Sequence, residues 1–299
     1  MTEKTIDTLV EDIYDVLEKG VEEIPPELVK KFAVRMGTMM KQKLEVKKGT
    51  EKNKTKGSGY LRMSSIGKPD RQVYYDVKQA PKEKLNPNTF MKFLYGDIIE
   101  EVLLFLSEVA GHKVEGEQDT IMIDGISGHR DAVIDGVTVD VKSASKFGFR
   151  KFKYATLHKD DPFGYIAQIS GYTSAHGKDE KVKSNVGAFL AADKSQGHLA
   201  LLNVPKEQQI DPEERIKHLK KIIQQDEPPE KCYEPKTKGK SGNKVLAVGC
   251  QYCAFKEHCW SDANDGQGLR TFLYSNRPEH FVHVEKEPRV PELETKQKE

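Results

Sequence analysis

The sequence predicts an α/β fold, on three observations. Two apolar strand runs meet at Asp135-Gly136, further strand runs alternate with amphipathic helical stretches along the middle of the chain, and Asp161-Pro162 reads as a helix start downstream of the hairpin. The hairpin is the sharpest of these. Asp-Gly between alternating apolar residues favours a tight turn with positive φ at both central positions, and such a turn sets the pairing of its strands. Counting outward, Ile134 faces Val137, Val133 faces Thr138, Ala132 faces Val139, Asp131 faces Asp140, and His129 faces Lys142.

One face then carries Ala132, Ile134, Val137, Val139 and Val141; the other carries His129, Asp131, Thr138, Asp140 and Lys142. Two carboxylates directly across a ladder have Cβ atoms about 5 Å apart, where like charges repel unless a cation lies between them. Oxygen ligands suit Mg²⁺ or Mn²⁺, and Lys142, two residues from Asp140 on the same face, can reach a phosphate or an attacking water. A surface hairpin with solvated charges fits the alternation equally well. His129 reads as a packing or phosphate neighbour rather than a ligand.

The remaining elements follow in chain order. Residues 5–45 read as two amphipathic helices broken at Pro25-Pro26, with Leu9, Ile13, Val16 and Leu17 on the core-covering face of the first. A linker over Lys47–Gly59 carries Lys47, Lys48, Lys52, Lys54 and Lys56; with Lys41 and Lys43 before it and Lys236, Lys238, Lys240 and Lys244 later, it can track phosphates or simply be solvated. The stretch 93–106 has an apolar helical stripe interrupted by acids, of which Glu100 is the candidate third carboxylate, and Phe90, Phe93 and Phe105 are expected in the core. Strands are expected at 120–123, 128–134 and 137–142, then at 186–192 and 199–204 about a turn at 194–197 that exposes Lys194. The helix starting at Asp161-Pro162 and running to about Ala175 places Gln168 and Tyr172 four apart on one face. A helix at 213–224 leads into a cysteine-bearing segment. After Val284 the chain is rich in proline and charge without periodicity, which predicts a disordered or partner-binding tail.

All four cysteines, Cys232, Cys250, Cys253 and Cys259, lie in the last third. Four cysteines in 299 residues, with no apolar leader expected at the start, make no dense disulfide scaffold. The clustering therefore implies a metal. Zinc sites usually pair two short CxxC knuckles, whereas here one CxxC is followed by a five-residue gap and a distant single cysteine; an iron–sulfur cluster, zinc, and buried free thiols all remain open. With 36% hydrophobic and 32% charged residues the chain reads as soluble, without a membrane span, and its net charge of +1 gives no global nucleic-acid signature.

An acid-bearing helix, Gly128-x-x-Asp131, Asp140-x-Lys142 and Gln168-x-x-x-Tyr172, in that order, resemble the PD-(D/E)xK nuclease superfamily, in particular its RecB-type branch with CRISPR-associated and phage exonucleases. The resemblance covers roughly residues 61–260. It implies a restriction-endonuclease-like core with a mixed central sheet flanked by helices. Glu100, Asp131, Asp140 and the backbone carbonyl of Val141 would hold Mg²⁺ or Mn²⁺, Lys142 would be the catalytic lysine, and Gln168 and Tyr172 would position DNA and the active-site groups. The cysteine spacing resembles the last three cysteines of the iron–sulfur nucleases of that branch, which implies a structural four-iron cluster, with zinc as the alternative. Arg71, Tyr74 and Tyr75 match the family's Arg-x-x-Tyr-Tyr segment near the site entrance, and Arg71 and Tyr75 would contact DNA.

There are departures. Pro69 stands where many members have their first cysteine, so Cys232 is expected to replace it; Glu100 stands for a commoner His, and Asp140 for a commoner Glu.

The organisation expected is a helical extension with its linker over 1–60, the nuclease core over 61–231, a cysteine-clamped segment over 232–260 and a tail over 261–299 that could bind a protein partner. The function expected is a deoxyribonuclease, an exonuclease on single-stranded or resected DNA ends, located in the cytoplasm, or in a host's cytoplasm if phage-encoded. An endonuclease of the same superfamily, a catalytically weak nucleic-acid-binding module and a zinc-stabilised interaction protein are the alternatives.

Overall fold

The computed structural model describes residues 4–46, 51–52, 54–275 and 277–293. Lys47 and Lys48 of the linker and residues 294–299 of the tail lie outside them. The chain divides into two compact units, one of Met1–Lys52, Arg62–Gly67 and Leu85–Lys217, the other of Asn53–Leu61, Lys68–Lys84 and His218–Glu299.

The first unit is α/β, built on a five-stranded mixed sheet. Its strands are β1 (Val114–Glu115), β4 (Ala132–Ile134), β5 (Val137–Ala144), β6 (Gly187–Asp193) and β7 (Leu199–Val204), side by side in that order; β2 (Thr120–Ile123) and β3 (Ile126–His129) form a separate two-stranded ribbon. Only β5 and β6 run parallel. Asp135 and Gly136 both take positive φ, 49° and 81°, and the turn sets Ile134 against Val137, Val133 against Thr138 and Ala132 against Val139, as the Asp-Gly signal predicts. Beyond Ala132 the expected pairing stops.

Helices cover both faces of this sheet. The apolar residues of the hairpin pack with α1 (Leu9–Lys19) and α4 (Pro87–Val109), through Leu9, Ile13, Leu103 and Leu104. On the other face Phe189, Ala191 and Leu202 pack with Phe149 and Phe152 of α5 (Lys146–Lys153) and with Ile166 and Ile169 of α6 (Tyr165–Thr173). Being central, β6 is buried at every position, as a strand covered on two sides must be. The polar face of β5 is therefore not solvated: Thr138 and Asp140 are 0% and 1% exposed.

Several local expectations change. Leu17 is 60% exposed rather than core-covering, and Phe93 is 53% exposed, while Phe105 stacks on Phe32 of α2 (Pro26–Leu44) at 4.6 Å. The helix expected from Pro162 begins at Tyr165. Asp161 accepts from the Ile166 amide at 2.8 Å, and Gly164 at φ 73° turns the chain before the first helical residue. Gly164 is also needed for space, because its backbone and that of Gly67 approach so closely that a Cβ on either would lie about 2 Å from the other.

The second unit has α3 (Asp70–Val77), the part of α7 (Pro212–Ile222) from His218 onward, and an antiparallel sheet in the order β12 (Glu292–Leu293), β10 (Arg270–Tyr274), β11 (Arg277–His283), β9 (Lys244–Val245) and β8 (Lys236–Thr237). Its core joins Leu246, Trp260, Leu269 and Val282, and Phe272 meets Phe281 edge-on at 5.0 Å. Residues 270–283, within the expected 261–299 tail, form a hairpin, and after Val284 the two-residue β12 adds a third strand, with Arg270 between Glu287 and Glu292. Charge complementarity supplies what apolar periodicity does not. No helix among the described residues is long and apolar enough to cross a membrane.

Candidate active site

Asp131 and Asp140 meet by a route other than direct ladder pairing. Arg130 is fully buried, its Nη2 donating to Asp119 Oδ2 at 2.8 Å and Asp179 Oδ2 at 2.6 Å, and this draws the chain out of the strand between β3 and β4. His129 consequently pairs with Thr120, not Lys142. Asp131 turns inward and accepts from the Val141 amide at 2.7 Å, which sets its carboxylate beside the strand segment carrying Asp140.

Asp140 and Lys142, alternating with Val139 and Val141 on β5, face α6. The Lys142 ammonium pairs with Asp140 Oδ2 and lies 4.9 Å from the centre of the Tyr165 ring, so its position is set from two sides. That Asp140 oxygen is buried and makes no hydrogen bond beyond the ion pair. Glu100 comes from α4, where Gln118 Nε2 donates to its Oε1 at 2.7 Å. A cavity of about 500 Å³ opens onto Glu100, Asp131, Gln118, Glu101 and Asp97.

The electrostatics are those of crowded acids. Burial, then Glu101, Asp140 and Asp97, push the Glu100 carboxyl up to about 7. Asp131 is also raised, by burial and then by Asp140 and Glu100. Burial alone would pull the Lys142 ammonium down, but Asp140 and Asp131 outweigh it and the net shift is upward, keeping the lysine charged. Gln168 Nε2 donates to the Tyr172 hydroxyl at 3.2 Å, and burial takes that phenol up to about 12 with further help from Asp140 and Asp131. Glu100, Asp131, Asp140, Lys142, Gln168 and Tyr172 thus belong to one unit; the charges of Asp131, Asp140 and Lys142 act on Tyr172, and Gln168 joins through its hydrogen bond to that phenol.

Some participants carry no sequence signal of their own. Gln118 sits at φ 59°, a costly conformation for a side-chain-bearing residue, with its amide bonded to the Asp131 carbonyl at 3.2 Å and its side chain to Glu100. Arg35 grips Glu101 at 2.7 Å and Glu117 at 3.2 Å beside it. Tyr165 lies three residues before Gln168, outside the motif. Among the described residues no group of three or more His, Cys, Asp or Glu is already drawn into metal-ligating geometry; in the acid cluster the cation against Asp140 is Lys142.

In the second unit all four cysteines line one small cavity with Pro69, Arg71, Gln72, Tyr75, Tyr233 and Trp260. Burial and then the neighbouring sulfurs push Cys250 up to about 12; burial, with Cys232 and Cys259 adding, takes Cys253 to about 11. Donors converge on the sulfurs nevertheless: the Gln72 and Arg71 amides on Cys232, the Phe255 amide on Cys253, the Trp260 indole on Cys250 and Arg71 Nε on Cys259 at 3.2 Å. Arg71 and Tyr75, expected to contact DNA, line this cavity. Arg71 also bonds the Pro229 carbonyl, and Tyr75 is 6% exposed, packed edge-on against His258 and near Phe255.

No family model and no curated protein matches the chain. Among solved structures, that of SSO0001 is similar over 79% of this chain and 96% of its own length, at 15% identity and a TM-score of 0.33.

Proposed function

We propose that the chain is a metal-dependent deoxyribonuclease of the PD-(D/E)xK type, with a restriction-endonuclease-like core in the first unit, acting as an exonuclease on single-stranded or resected DNA ends. The observation that carries this reading is geometric: Glu100 and Asp131 line one cavity, Asp131 is bonded to the Val141 amide next to Asp140, and Lys142 pairs with Asp140. Three carboxylates brought together against their own repulsion, with the Lys142 ammonium against the buried Asp140 oxygen, are a donor set that fits a hard divalent cation. Glu100, Asp131, Asp140 and the Val141 carbonyl would hold it. When bound, Mg²⁺ or Mn²⁺ supplies Lewis-acid activation of water and neutralises charge on the phosphate. Lys142, aimed by Asp140 and Tyr165, stabilises the negative charge that builds on the phosphoryl oxygens. Gln118 keeps one Glu100 oxygen occupied and so orients the other, while Gln168 and Tyr172 form a polar rail on the α6 side. No covalent enzyme intermediate is required.

The cysteine cavity is read as the seat of a structural four-iron cluster, with zinc the alternative. Four sulfurs around one space, each met by an N–H donor, suit thiolates rather than thiols. Cys232 accepts from the amides of Arg71 and Gln72, beside Pro69, and so can take the place of a ligand at that position.

Digestion of end-labelled linear and circular DNA with Mn²⁺ tests the reading. Release of short products from linear substrate only is expected, abolished by EDTA and by Asp131→Ala or Asp140→Ala with the circular-dichroism spectrum unchanged. Full activity in either variant would remove the assigned site.

A further inference from the structure

Between Lys146 and Lys159 the chain carries five Lys or Arg and no Asp or Glu, against a net charge of only +1 for the whole sequence. The segment opens on α5, where Ser145 caps the helix by accepting from the Gly148 amide at 3.3 Å and the basic residues of the last turn complement the helix dipole. Phe149 and Phe152 are buried under the sheet. Lys146 and Phe147, Arg150, then Lys153 and Tyr154 recur every three to four residues on the opposite side, a single helix face, and all are exposed. Two of these are large aromatics turned outward, Phe147 at 74% and Tyr154 at 61% exposure. Lys151 is occupied by Asp160, but Lys146, Arg150 and Lys153 meet no carboxylate among the described residues.

The helix that bears this patch packs by its inner side beside the acid cluster. Phe152, on the inner side of α5, lies 6.2 Å from the Tyr165 ring; exposed Phe163 lies 5.5 Å from that ring on another side, and Lys142 sits over it at 4.9 Å. Cations interleaved with exposed rings are what a flexible polynucleotide needs: cations follow the phosphates, and each ring offers a stacking surface to a base of any identity. A duplex hides its bases and can use only the cations.

We propose that the outer face of α5, through Lys146, Phe147, Arg150, Lys153 and Tyr154, is a track for single-stranded DNA that hands the strand past Phe163 and Tyr165 to Lys142. This deepens, and for its substrate rests on, the nuclease reading of the adjoining acids.

The test is fluorescence anisotropy in EDTA, with labelled oligo(dT) of about twenty nucleotides and a duplex of the same length. Phe147→Ala/Tyr154→Ala should weaken oligo(dT) binding on the order of tenfold or more and leave duplex binding unchanged. Lys146→Gln/Arg150→Gln/Lys153→Gln should weaken both and flatten the salt dependence for oligo(dT) by roughly two units of logarithmic slope. Unchanged oligo(dT) binding in both variants, or equal losses for single strand and duplex in the aromatic variant, overturns the track.

Because binding is read without metal, the outcome does not depend on catalysis. Hydrolysis of bis(p-nitrophenyl) phosphate with Mn²⁺ reports the acid cluster separately. Reporter hydrolysis retained in both variants alongside lost oligo(dT) binding supports the track and the nuclease together. A wild-type protein that binds oligo(dT) through these residues yet hydrolyses neither reporter nor DNA leaves the track standing and refutes the nuclease.

Discussion

Raising the pH should destabilise the metal-free first unit, and the acid cluster sets the size of the effect. Glu100 titrates near 7 in the folded protein against an ordinary 4.5, so between those values the folded state keeps a proton that the unfolded chain has released. Stability then falls as pH rises through that window, by about 3 kcal/mol for this carboxyl alone. Asp131, raised for the same reasons, adds a loss of the same sign. Of this about 2.4 kcal/mol falls between pH 5 and pH 7.5, which for a unit of this size lowers Tm by roughly 5–10 °C. Carboxyls held low by cations, such as Asp119 and Asp179, act oppositely, losing stability as pH falls through their own lowered range, and so do not mask the slope above pH 5. The assay is thermal unfolding followed by circular dichroism, because Trp260 belongs to the other unit. In EDTA, Tm should fall with pH for the wild type and much less for Glu100→Gln, and saturating Mn²⁺ should flatten the wild-type slope by compensating the repulsion. A wild-type slope equal to that of Glu100→Gln, or no stabilisation by Mn²⁺ at pH 7.5, would refute the reasoning.

Lys142→Ala should lower turnover on the order of 10²-fold or more while DNA binding persists, measured by single-turnover cleavage; because it also strands buried Asp140, Mn²⁺ should stabilise this variant more than the wild type. If Cys232, Cys250, Cys253 and Cys259 hold a cluster, anaerobically purified protein should be brown, contain iron and sulfide, and lose both in any Cys→Ala variant. Colourless protein with one zinc per chain would leave the clamp and change its metal, and undiminished metal in Cys232→Ala would remove that residue from the ligand set. Since burial holds the Cys250 and Cys253 thiols protonated, loading with Zn²⁺ in weak buffer should release protons, seen as a fall in pH. Gly164→Ala should cost about 3 kcal/mol through its positive φ and its approach to Gly67, read as a drop in the midpoint of urea unfolding.

The hairpin shows how far local chemistry reaches. Asp-Gly turn geometry correctly sets three consecutive pairs, and alternation correctly assigns Ala132, Ile134, Val137, Val139 and Val141 to one packed face. The rule fails at Arg130, where a guanidinium wins burial through Asp119 and Asp179. The latter is 49 residues distant, and nothing in the local pattern announces it. The same holds for the start of α6: Asp-Pro is a sound start signal, but Gly164 and its contact with Gly67 decide where the first turn closes. The four cysteines were legible as one set from their number and place in the chain. The employment of Arg71 and Tyr75 around them was not, because a basic-aromatic segment reads the same whether it faces DNA or sulfur. The α5 face is legible in the acid-free run at 146–159, a local excess of positive charge that the whole-chain balance of +1 averages away.

The second unit closes only when distant parts of the chain come together, with Arg71 reaching Cys259 across 188 residues of intervening sequence. At ribosomal speeds of about 5–20 residues per second, α3 waits roughly 10–40 s for the sulfurs it will serve. Throughout that interval Val73, Tyr74 and Tyr75 of this polar helix have no finished core to enter and stay uncovered. The order of biogenesis follows: the sheet bearing Asp140 can assemble first, and the cysteine cavity, with whatever it holds, is sealed only after Cys259 has been made.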